Sequence, residues 1–96
     1  MLLGGKLIYG DGRFTLDCMF RNKSPGGALI KLPPGQVVPD HFQLIEFRSG
    51  MAYDCVVARR DYPLLGVRIT AEHDLHEVDT AHLRHLRRLW LDGQMR

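Results

Sequence analysis

The sequence predicts a mainly β fold: a small six-stranded antiparallel β-barrel with a C-terminal α-helix. Three observations predict it. Short runs of alternating apolar and polar residues recur over the first two-thirds of the chain, with turn signals roughly every 8–12 residues. The last quarter abandons that period of two for apolar residues at three- and four-residue spacing, which is a helical stripe. Closure into a barrel removes the sticky edges that six short strands would otherwise expose. At 96 residues the chain has room for one domain, 1–96, with the barrel at about 5–70 and the helix at about 79–92. A chain of this size buries roughly two-thirds of its unfolded surface, enough for one modest core.

The elements follow in order. Lys6–Tyr9 reads as a strand, and Gly10-Asp11-Gly12 as a hairpin turn, because Gly and Asp accept positive φ. In Arg13–Arg21, Phe14, Leu16, Cys18 and Phe20 share one face and Arg13, Thr15, Asp17, Met19 and Arg21 the other. Asn22-Lys23-Ser24 leads into a bend at Pro25-Gly26-Gly27, and Ala28–Leu32 is a short strand. Pro33–Asp40 is a loop, since its three prolines remove ladder donors. Phe42–Phe47 and Ala52–Arg60 are strands joined by the turn Arg48–Gly50, with Tyr53, Cys55 and Val57 on one face. After the turn Asp61–Pro63, Leu65, Val67 and Ile69 point inward. Ala71–Val78 fits either a loop or an extra helical turn. Leu83, Leu86, Leu89 and Trp90 make the helical stripe, with Asp79 or Thr80 as the cap and Gly93 as the terminator.

Composition excludes several classes. The chain is 45% hydrophobic and 25% charged, as soluble globular proteins are, and its net charge of +2 is too small to argue for nucleic acid by itself. Two cysteines make no disulfide framework. No apolar run approaches the ~20 residues of a membrane span. Met1–Lys6 lacks the basic-then-apolar order of a signal peptide, so a cytoplasmic location with reduced thiols is expected.

The arrangement of six strands, one helix and Asn22-x-Ser24-x-x-Gly27 between the second and third strands resembles the PilZ domain. The motif matches that family's Asp/Asn-x-Ser-x-x-Gly, and Asp54–Ile69 looks like its closing hairpin, in which a strand ending in arginine turns into Gly-Val-Arg. Residues 4–24 and 38–47 are similar to short single-domain bacterial members. The resemblance covers about residues 5–70. It implies a non-enzymatic bacterial signalling module, with cyclic di-GMP as the ligand across Asn22, Lys23, Ser24, Pro25, Gly26 and Gly27. Arg21 joins the candidate binding residues as a nearby cation, with Arg59 and Arg60 as further candidates. The family's Arg-x-x-x-Arg motif would fall at or before residues 1–5, which contain no arginine; Lys6 is the only nearby cation. Arg offers a planar fork for phosphate oxygens or a guanine edge, and Lys does not. Each charge-assisted bond contributes roughly 1.5–3 kcal/mol, so losing two forks weakens binding by about 10²-fold or more. Two functions therefore compete: a nucleotide receptor with weakened or lost binding, and a degenerate adaptor that acts through an unknown protein partner. A bland reading of Asn22-Lys23-Ser24 stands beside both, as an Asx- or Ser-type turn that ties down backbone amides.

Other constellations are weaker. His73, His76, His82 and His85 lie among Asp74, Glu77 and Asp79, but without a recognised zinc spacing, and no metal or other cofactor is expected. Arg84, Arg87 and Arg88 make the helix basic, yet no nucleic-acid motif accompanies them. An exposed Leu/Trp stripe on that helix would favour a homodimer. Cys18 and Cys55 fall on the inward phase of their strands and behave there as small hydrophobes. No catalytic constellation is legible, so the chain is not expected to be an enzyme.

Overall fold

The strict alternation in the second strand sets the barrel wall. In a computed structural model, which describes residues 3–77 and 80–94, that strand runs beyond the alternating stretch. The elements are β1 (Leu3–Tyr9), β2 (Phe14–Ser24), β3 (Gly27–Lys31), β4 (His41–Glu46), β5 (Met51–Asp61), β6 (Leu64–Asp74) and α1 (Ala81–Gln94). Every strand pairing is antiparallel, and the order β1-β2-β3-β6-β5-β4 closes by pairing β1 with β4. The predicted six-stranded barrel with a C-terminal helix is what the chain forms.

The inward phase of each strand fills the interior. Leu7, Phe20, Ile30, Leu44, Tyr53 and Leu65 are buried there, with Cys18 and Cys55 beside them. The two thiols are free. Burial pushes each of them up to about 12, so at neutral pH they are inert hydrophobes.

The helix lies outside the wall. Leu86 and Trp90 bury against the outward residues Ile8, Ile45 and Ala52 and against Leu75, a second core separate from the first. The Trp90 Nε1–H donates to the Phe47 carbonyl at 2.8 Å, and His76 meets the Trp90 ring edge-on at 4.7 Å. The stripe is thus spent on the chain's own barrel, which removes the argument for a homodimer; Leu91 is the large apolar residue of α1 left exposed.

Several local expectations change. Ala71–Asp74 is neither loop nor helix: it continues β6 and pairs with Met51–Asp54. His73 pairs opposite Ala52 and reaches Asp54 at 3.2 Å, so its polarity hid a strand with a polar outer face. Val78 and Asp79 lie outside the described residues. Thr80 caps α1, with its Oγ1 accepting from the Leu83 amide at 3.3 Å. Gly93 does not end the helix. A Cβ there would stand 2.3 Å from the Phe47 ring, so the glycine serves close packing instead. Gly27 belongs to β3, leaving Pro25-Gly26 as a two-residue turn.

Candidate functional site

The site begins with a β-bulge. In the β2–β3 pair, Phe20 faces Ile30 and the next partners are Asn22 and Leu29, so Arg21 is the extra residue. A bulge re-aims the side chains that follow it. Lys23 consequently pairs with the core-facing Ala28, while Asn22 and Ser24 take the outward phase. Asn22, Lys23 and Ser24 are all extended strand, not an Asx- or Ser-type turn. Among the described residues neither the Asn22 nor the Ser24 side chain makes a hydrogen bond. Both are exposed, and they line a shallow depression of about 230 Å³ with Lys23, Gly27, Ala28 and Leu29.

Gly27 is required by the barrel itself. Its φ is not positive, but a Cβ there would lie 2.8 Å from the Val67 carbonyl oxygen of β6. The turn is tied to the same strand by the Ile69 amide, which donates to the Gly26 carbonyl at 3.0 Å. The depression therefore sits on rigid ladder rather than on a loose loop.

The candidate cations divide by position. Lys23 Nζ stands 4.8 Å from the centroid of the Tyr53 ring, a cation–π contact across the barrel's end. Burial pushes the Tyr53 hydroxyl up to about 12, so that ring carries no charge at neutral pH. Arg21 lines a separate cavity of about 190 Å³ with Leu3, Phe20, Asn22 and Lys23. Lys6 is buried and pairs with Asp17 at 3.4 Å, so its charge is committed there. Arg60 is at the other end of the barrel, bonded to Asp40, to the Tyr62 hydroxyl and to the Val38 carbonyl. The bond to Asp40 raises its already high pKa further.

Sequence reasoning missed Arg68. It pairs with Gly27 across the β3–β6 ladder and is exposed. The signal was present: Arg68 falls between the inward Val67 and Ile69 and so had to point outward.

A larger concavity is elsewhere. A groove of about 830 Å³ runs between the start of α1, the Gly10–Gly12 turn and the outer faces of β4 and β5. Its polar floor is already satisfied: Gln43 Nε2 donates to Asp54 at 2.8 Å, and His82 Nε2 contacts Gln43 Oε1 at 2.7 Å. The four C-terminal histidines go to four places, His73 to Asp54, His76 to Asp74, His82 to Gln43 and His85 against Gly12. Among the described residues no three His, Cys, Asp or Glu side chains converge as a metal site. No described helix is long and apolar enough to cross a membrane.

Fold and site together define a closed small β-barrel with a polar, cationic outer face at one end. Comparison with protein-family models, with curated proteins and with solved structures returns no match.

Proposed function

We propose that this chain is a PilZ-type, non-enzymatic signalling module of the bacterial cytoplasm that takes cyclic di-GMP on the outer face of β2 and β3. One observation carries the reading. Asn22 and Ser24 are held outward on regular strand beside Gly27, exposed and with no internal hydrogen-bond partner. A purely structural turn would have bonded those side chains to the backbone. Free and rigidly placed, they suit the edge of a base or a ribose hydroxyl.

Affinity is modest in this reading, because Lys6 is committed to Asp17. Titration calorimetry with cyclic di-GMP tests it. The expected result is micromolar binding that Asn22→Ala and Ser24→Ala each weaken by about tenfold, the worth of one good hydrogen bond to a ligand. Absence of heat at high micromolar protein overturns direct binding. The adaptor reading would then stand in its place.

A further inference from the structure

We propose that the barrel end ringed by Glu46, Tyr53, Glu72 and Lys23 binds an alkyl diammonium ligand of the polyamine class, for which the Lys23 side chain is the built-in stand-in. The proposal stands apart from the nucleotide reading, which concerns the outward residues of β2 and β3.

All four residues take the inward phase of their strands. On β4, Glu46 follows the core residues Phe42 and Leu44 at a period of two, and Leu44 pairs with Tyr53. Glu46 and Tyr53 are therefore diagonal neighbours on adjacent strands, within reach of each other. From the other side, Glu72 of β6 pairs directly with Tyr53. Lys23 shares the phase of Ala28 and holds its Nζ 4.8 Å from the centroid of the Tyr53 ring. Phe20 meets the same ring edge-on at 6.4 Å.

The charges here are unmatched. Glu46 is 7% exposed, yet its carboxylate has no hydrogen bond or ion pair among the described residues. Glu72 is exposed and has none either. Asp74, next on the inward phase of β6, is taken up by His76. Lys23 brings one ammonium against two carboxylates and forms an ion pair with neither. Arg21 lines the adjoining cavity of about 190 Å³ and pairs with neither acid. That cavity borders Lys23 and Phe20 and gives a ligand its approach. Burial, then the charge of Glu46 and that of Glu72, push the Tyr53 hydroxyl up to about 12, so the ring is neutral and its face suits a cation.

A primary ammonium satisfies both elements at once, since it lies over the ring and donates to the buried carboxylate. Two carboxylates exclude an anion. A neutral ligand would leave Glu46 without a counter-charge. A second ammonium on the same short chain reaches Glu72, because β4 and β6 lie two strands apart, roughly 9–10 Å. Lys23 is exposed and sits at the end of its strand, so a ligand can displace it.

The test is calorimetry with putrescine on the full chain, with butanediol as the uncharged control. Wild type is expected to bind putrescine and not butanediol. Lys23→Gln should tighten binding by about 2- to 5-fold, the worth of the exposed cation–π contact that no longer competes. Glu46→Gln should weaken it by roughly 10- to 100-fold and Glu72→Gln by less than about 5-fold. Tyr53→Phe keeps the ring and should bind as the wild type does, and Asp92→Asn on α1 controls for the loss of one surface charge. Melting temperatures within a few degrees of wild type would show that Glu46→Gln still folds. Absence of putrescine heat in both wild type and Lys23→Gln overturns the proposal. So does a folded Glu46→Gln that binds as the wild type does, or equal binding of butanediol.

Discussion

The barrel has two outer faces, and the chain treats them in opposite ways. On β1, β4 and the start of β5, the outward residues Ile8, Ile45 and Ala52 are apolar and fully covered by α1. On β2, β3 and β6, the outward residues include Asn22, Ser24, Leu29, Arg68 and two glycines, and no described element covers them. The strands are the same kind of ladder in both places. What differs is where apolar surface is removed from water, at roughly 25 cal/mol per Å². The covered face contributes stability. The bare face contributes little and is free to be polar, charged and flat, as a binding surface requires.

The strongest challenge to this division is to strip the covered face. Trp90→Ala removes a large buried ring and leaves the Phe47 carbonyl without one of its donors. A loss of about 3–5 kcal/mol is expected, read as a lower denaturant midpoint. Ile45→Thr on the same face buries a hydroxyl where an isoleucine was fully enclosed, and should cost about 2–4 kcal/mol. If either variant melts within a degree or two of wild type, the helix is not held by this face and the contrast fails.

The two glycines of the bare face sharpen the comparison. Gly27→Ala drives a Cβ to within 2.8 Å of the Val67 carbonyl and should destabilise by about 1–3 kcal/mol. At Gly66 a Cβ finds only ordinary contacts, the nearest 3.5 Å away at Arg59, and φ is not positive. Gly66→Ala should therefore be stabilising by about 0.4–1 kcal/mol in thermal melts. A stability loss at both positions would mean that the glycines serve the fold alone.

Much of the architecture was legible because it rests on local pattern. Leu16, Cys18 and Phe20 set the period of the second strand without reference to any partner. Leu86 and Trp90 marked the buried stripe of the helix in the same way. What was not legible depends on partners. The bulge at Arg21 exists only in the pairing of β2 with β3, and it decides that Lys23 turns toward Tyr53 while Asn22 and Ser24 turn out. Gly93 matches a helix terminator in sequence, but the Phe47 ring beside it explains the glycine. His73 and Glu72 fitted a loop or a helical turn because their partners on β5 lie some twenty residues away. Arg68 needed only the alternation already used for Val67, applied to the outer face.

The smallest expected effect is the most direct measure of the difference between faces. Leu29 and Ile45 are both outward aliphatic residues on central ladder positions, yet Leu29 is 37% exposed and Ile45 is not exposed at all. The substitution to threonine can be made at both. At Leu29 it replaces a half-wet side chain by a β-branched one that suits a strand, and the new hydroxyl has water for a partner. Leu29→Thr should change stability by less than about 0.5 kcal/mol, against the large loss at Ile45. Its effect should instead appear in the nucleotide titration, as a modest weakening from lost contact with a base. A large stability cost at Leu29 would mean that the bare face is packed against something, and would turn attention to a protein partner there.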